Sequence, residues 1–119
     1  IKELEKRYLN NESILLFEFL QVSEFFQEMR KRYERNEAVA GIIEAYSDVD
    51  ILILDDIGVE RPGDWSWDTL FYLINRRYEH LKTTLITSNL SLSQLTKRLN
   101  DDRISSRIER MCKLIELKK

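Results

Sequence analysis

The stretch Asp48–Trp65, "DVDILILDDIGVERPGDW", decides the fold. Four apolar residues, Ile51 to Leu54, run directly into Asp55 and Asp56, and a loop with two of the three glycines and the only proline follows. A run so short and so apolar reads as a buried strand rather than a surface helix. Gly58, Pro62 and Gly63 mark the loop after it. A strand that carries two carboxylates to its tip holds both on a rigid support. There the first can hold Mg²⁺ through its water shell, and the second can orient or deprotonate an attacking water, as phosphoryl transfer requires. Two acids at a strand end also serve simply to open a loop, so the surrounding segments carry the decision.

Upstream, "SILLFEFLQ" (Ser13–Gln21) is nearly continuous in apolar character and reads as a strand buried on both faces. Val22, Phe25, Phe26, Met29 and Tyr33 then recur at helical spacing, and Val39, Ile42, Ile43 and Tyr46 mark a second helix. Downstream, Asp64 or Ser66 can cap a helix whose buried stripe is Trp67, Leu70, Phe71, Ile74, Tyr78 and Leu81. "TTLITSN" (Thr83–Asn89) is a further strand, with its regular part at 84–88. "SLSQLTKRL" is a helix starting at Ser91 or Ser93, "DRISSRIERM" is another, and "KLIELK" (113–118) closes as a strand. Strands alternating with helices predict one α/β domain over 1–119, with a mainly parallel sheet and strands at 13–21, 51–55, 84–88 and 113–118. In such sheets ligands sit beyond the carboxyl ends of the strands. Asp55–Asp56 and Ser88–Asn89 both fall at those ends, and the single helix between their strands allows the two tips to be adjacent.

Composition narrows the chemistry. The 119 residues suit one core. A formal net charge of −2 gives no global basic field, so any nucleic-acid site is a local patch. Cys112 is the only cysteine and His80 the only histidine, which rules out an internal disulfide, a cysteine zinc site and a multi-histidine metal site. No apolar run approaches the ~20 residues of a membrane span, and no signal peptide opens the chain, so a cytoplasmic location without membrane partners is expected.

Three further groups carry candidate roles. Asn89 can polarise the attacking water or contact a γ-phosphate, although Ser-Asn after a strand is also ordinary turn chemistry. Arg103 and Arg107 lie four apart on one helical face with Ile104 and Ile108 on another, so the guanidinium groups can reach a neighbouring subunit while the isoleucines anchor the helix. Solvated arginines beside Asp101, Asp102 and Glu109 are the plainer alternative. Arg30, Lys31, Arg32 and Arg35 surround Tyr33, a combination suited to single-stranded nucleic acid. Glu28, Glu34 and Glu37 intersperse those cations, and Tyr33 also fits the core stripe.

The order of motifs is more specific than any one of them. "VDILILDDIGVE", the helix from Trp67 to Tyr78, "TTLITSN" and "RISSRI" resemble the bacterial DnaC/DnaI-type helicase loaders, AAA+ ATPases, and share much with the IstB-like transposition ATPases. The resemblance covers Asp48 to Ile108 closely and Ser13 onward more loosely. It implies an AAA+ P-loop fold that binds ATP and Mg²⁺. By motif, Asp55 and Asp56 resemble the Walker B pair, Asn89 sensor 1 and Arg107 the arginine finger, with Arg103 in support. The helices from Val22 to Ser47 resemble the initiator-type insertion beside a single-stranded DNA path, which makes Arg30, Arg32 and Tyr33 the DNA candidates. The implied partners are a replicative hexameric helicase, single-stranded DNA and copies of the same chain arranged head to tail.

One family element is missing. Gly41, Gly58 and Gly63 are the only glycines, and none begins a G-x-x-x-x-G-K-[ST] loop. The resemblance places the first strand and P-loop upstream of Ile1, so the chain is expected to be a partial AAA+ core, inactive by itself, whose intact parent is the ATPase. A transposition helper, or an α/β interaction module that binds no nucleotide, are the alternative expectations.

Overall fold

A computed structural model describes residues 16–58 and 65–117. Three parallel strands form a sheet in the order β1 (Phe17–Gln21), β2 (Ile51–Asp55), β3 (Thr83–Ile86). Helices α1 (Val22–Glu34) and α2 (Ala40–Asp48) connect β1 to β2, and α3 (Trp65–Glu79) connects β2 to β3. Helices α4 (Leu92–Leu99) and α5 (Arg103–Met111) follow. The expected α/β class, parallel sheet and strand at 51–55 are therefore present. The expected strand start at 13–15 and the loop cap at Asp64 lie outside the described residues.

Both crossovers step in the same direction across the sheet, so right-handed connections place their helices on one face. Burial follows that rule. Leu20, Leu52 and Leu54 face the helices and are buried, with Ile86 packed against them. The core continues through Val22, Phe25, Phe26 and Met29 of α1 and through Trp67, Leu70, Leu73 and Ile74 of α3. Phe26 meets Trp67 edge-on with ring centroids 5.6 Å apart, and Phe25 meets Tyr46 in the same way at 5.7 Å; such T-shaped pairs match positive ring edge to negative face.

The opposite face corrects one expectation. Phe17, Phe19 and Leu85 are 48%, 54% and 50% exposed, so β1 is buried on one face only. No described helix crosses to that side, because both connections use the other. Tyr33 is likewise not part of the core stripe: it is 62% exposed on the last turn of α1. Leu81 is 90% exposed because the chain turns there into β3 with a positive φ of 54°. The strand expected at 113–118 is also absent among the described residues. Residues 113–117 have no regular structure and expose Leu114, Ile115 and Leu117, and no strand among the described residues pairs with them.

At the amino ends of β2 and β3 sits Arg77, fully buried on α3. Its guanidinium donates to the carbonyls of Tyr46, Ser47 and Val49 at the end of α2, at 3.1, 3.1 and 2.7 Å. It also donates to the Thr83 carbonyl at 2.7 Å and to Thr84 Oγ1 at 2.9 Å. One side chain thus satisfies helix-end carbonyls that have no partner within α2 and ties that helix to the start of β3. Burial lowers its pKa to about 10, with Asp48 and Asp50 opposing the shift, so it stays charged at neutral pH.

Candidate nucleotide site at the strand tips

The carboxyl ends of β2 and β3 are joined by more than ladder bonds. Thr87 N–H donates to the Leu54 carbonyl at 3.0 Å, and Ile57 N–H donates to the Thr87 carbonyl at 2.9 Å. Between these two bonds Asp56 is an extra residue with φ 62°, a left-handed conformation that aspartate tolerates better than most. Its N–H donates to Thr87 Oγ1 at 2.8 Å, and that hydroxyl donates to Asp55 Oδ1 at 2.7 Å. Ser88 Oγ donates to the Ile57 carbonyl at 2.7 Å and accepts from Leu90 N–H at 3.0 Å.

The residues after the acid pair hold this turn from below. Ile57 is buried, so the chain dips into the core straight after the carboxylates. Gly58 follows at φ 101°, where a Cβ would meet Leu90 Cδ1 at 2.8 Å and Leu95 Cδ1 at 3.2 Å. The positive φ favours glycine, and a larger residue would also have to push aside the Leu90 and Leu95 methyls. Helix α4 is itself fixed by a reciprocal cap: Ser91 Oγ accepts from Gln94 N–H at 3.1 Å, and Ser91 N–H donates to Gln94 Oε1 at 2.9 Å.

Asp55 and Asp56 are therefore half-buried at one sheet edge beside Thr87, Ser88 and Asn89, which are exposed. Carboxylate and hydroxyl oxygens are hard donors. Mg²⁺ keeps several waters and takes one or two carboxylates with substrate phosphates, so this donor set fits it. Among the described residues no cluster of three or more His, Cys, Asp or Glu forms a cation cage by itself. The hydrogen bonds described at the tip run through Thr87 and Ser88 rather than Asn89; sequence placed Ser88 with Asn89 at the strand end but assigned no role to Thr87. The available signal for Thr87 was its position directly before Ser88 and Asn89 on the partner strand.

The remaining candidates occupy other places. Arg103 lies on the first turn of α5, bonded to Asp101 at 2.7 Å and to Asp68 at 3.1 Å, with its guanidinium 5.0 Å from the Phe71 ring centroid. The Asp101 carboxyl is held below the usual range by the Arg103 backbone N–H and then by its guanidinium. Arg107 is half-buried over Tyr78, 5.0 Å from the ring centroid. Ile104 and Ile108 are buried, as their spacing predicts. Arg30, Arg32 and Tyr33 occupy the second half of α1, where Arg32 pairs with Glu28 at 2.9 Å and Glu37 at 3.5 Å. Gln21, the residue before α1, is paired in register with Asp55. A helix rises about 1.5 Å per residue, so Tyr33 lies roughly 18 Å along the axis from Gln21 at the strand tips. The basic–aromatic cluster and the acid pair thus stand apart on one scaffold.

With this geometry in view, the family profile described as IstB-like ATP binding protein matches residues 14–118. No curated protein matches the chain. Among solved structures, the DnaC helicase loader is 27% identical, with a TM-score of 0.71 over 86% of this chain and 60% of its own. DnaI is 27% identical, with a TM-score of 0.70 over 93% of this chain and 59% of its own. AMPPCP-bound DnaA from Aquifex aeolicus, 24% identical with a TM-score of 0.67 over 92% of this chain and 32% of its own, shares the fold. The chain spans about three-fifths of the helicase-loader structures it matches. A buried strand ending in two aspartates, bonded across to a Thr-Ser-Asn tip, is found here within a match that runs almost the length of the chain: the protein belongs to the IstB-like ATP-binding family of AAA+ proteins.

Proposed function

We propose that the full-length protein is an ATP-dependent loader of a replicative hexameric helicase onto single-stranded DNA. The observation that carries the nucleotide part is the Asp55–Asp56 pair held beside the β3 tip by Thr87 and Ser88. In this reading Asp55 takes part of the cation's water shell, and Asp56 orients or deprotonates the water that attacks the γ-phosphate. Bound Mg²⁺ neutralises charge on the phosphates. Asn89, at the adjacent tip, polarises that water or contacts the γ-phosphate. Arg107 on α5 serves a neighbouring copy's site, with Arg103 in support, and copies associate head to tail. Arg30, Arg32 and Tyr33 contact single-stranded DNA. ATP acts mainly as an assembly and release switch, so slow turnover suffices.

The similarity to DnaC and DnaI supports the loader reading. Membership of the IstB-like ATP-binding family is equally compatible with a second reading, a transposition helper ATPase. Both require a phosphate-binding loop that the 119 residues do not contain, so the test uses the full-length protein. The amount of hexameric helicase deposited on circular single-stranded DNA is measured with ATP·Mg²⁺ and without nucleotide. The loader reading predicts nucleotide-dependent deposition. No deposition, with ATP-dependent stimulation of a transposase instead, would replace it by the helper; no nucleotide binding would leave an α/β interaction module.

A further inference from the structure

The hydroxyl of Thr87 occupies a position that the roles above leave unused. It accepts from Asp56 N–H at 2.8 Å and donates to Asp55 Oδ1 at 2.7 Å, so a single oxygen touches both members of the acid pair. Its own backbone is locked to β2 on either side, through Leu54 and Ile57. The ladder fixes the Thr87 main chain, and the two bonds of Oγ1 itself, to Asp56 N–H and Asp55 Oδ1, hold the hydroxyl in one rotamer beside the carboxylate. A hydroxyl has one proton to donate. Having given it to Asp55, it can meet Asp56 N–H only as an acceptor, which is the role observed.

Two consequences follow. The Asp55 carboxylate is restricted to one orientation, with Oδ1 engaged and Oδ2 left as the acceptor for a cation's hydration shell. The Asp56 backbone is held in its left-handed turn, a conformation that costs free energy outside glycine. Side chains that orient a metal-facing carboxylate tune metal affinity without touching the metal. We infer that Thr87 is a positioning residue for Mg²⁺ at this site, setting Asp55 for the cation and the Asp56 backbone for the water. The inference rests on the nucleotide-site reading above.

The test compares full-length wild type with Thr87→Val, which keeps the shape and loses the hydroxyl, and Thr87→Ser, which keeps the hydroxyl. The readout is binding of a fluorescent ATP analogue, titrated with MgCl₂. Thr87→Val should need about 10-fold more Mg²⁺ for half-maximal binding, the lower end of what loss of an outer-shell partner costs. Binding of the analogue without Mg²⁺ should be unchanged, and Thr87→Ser should stay near wild type. An unshifted Mg²⁺ dependence in folded Thr87→Val overturns the inference, as does an equal shift in Thr87→Ser. If Thr87→Val does not fold, Thr87→Ala against Thr87→Ser isolates the hydroxyl, since both lack the methyl, and equal Mg²⁺ dependence of those two overturns it. Wild type that binds no Mg²⁺–nucleotide defeats the site reading itself, whereas a wild type that binds with an unshifted Thr87→Val defeats only the role of Thr87.

Discussion

Arg77 shows how one residue sets the frame in which the site residues stand. It is the largest fully buried side chain described, and its partners are mostly backbone carbonyls 27 to 31 positions upstream, plus Thr83 and Thr84. Removing it leaves those acceptors buried and unpaired. Arg77→Met should therefore destabilise the fold by about 3 kcal/mol or more, read as a lower urea midpoint. The pH dependence has a definite sign. Burial depresses the folded pKa to about 10, so both states are protonated below that value. The difference between wild type and variant should then be flat from about pH 6 to 9 and move in favour of wild type only as pH rises past the folded value, where the unfolded state binds more protons. Asp55, Asp56 and Asn89 were legible in the sequence because they sit at strand ends, where polarity breaks an apolar run. Arg77 was not, because its partners lie on other elements; the trace it leaves is its place three residues after Ile74, on the apolar side of α3. Thr87 was passed over for a similar reason, its partners lying on β2.

At the scale of elements, the period of apolar residues located the helices and the strand at 51–55, and the buried or exposed state of their ends was harder to read. Tyr33 continues the stripe of Phe26 and Met29 by spacing, yet on the last turn of α1 it is left in solvent. The strand expected at Lys113 failed for a complementary reason. Alternating apolar residues specify a strand only where a neighbour offers its edge, a fact about the sheet and not about the segment. The exposure of Tyr33 makes a usable prediction. Tyr33→Ala should leave thermal stability near unchanged and weaken single-stranded DNA binding by about 1–3 kcal/mol, the range for loss of one stacked base. Fluorescence anisotropy with a labelled oligonucleotide checks it, and an unchanged affinity removes Tyr33 from the DNA path.

For the whole molecule, two separate ties define the frame: Arg77 closes the amino ends of β2 and β3, and Thr87 with Ser88 closes their carboxyl ends. The acid pair stands at the second of these ends, while the basic–aromatic part of α1 is displaced along the helix. Helix α5 is held by Ile104 and Ile108 and carries Arg107 on Tyr78. A cation over an aromatic ring contributes from about 0.5–1 kcal/mol at an exposed site to about 2 when desolvated, so Arg107→Ala at this half-buried site should cost the monomer no more than about 1–2 kcal/mol. If Arg107 serves a neighbouring copy, the same change should abolish the cooperative dependence of ATP hydrolysis on protein concentration. A large loss of stability would instead make Arg107 a packing residue.

The most direct test of the central claim, a Mg²⁺–ATP site built on Asp55 and Asp56, is Asp56→Asn in the full-length protein, with nucleotide binding and turnover measured on one preparation. The site predicts near-normal ATP affinity with turnover reduced by about 10²-fold or more, since the substitution removes a base whose contribution typically spans 10²–10⁴-fold. Equal loss of binding and turnover, or no loss of either, would contradict the role assigned to Asp56 and with it the account of the strand tips.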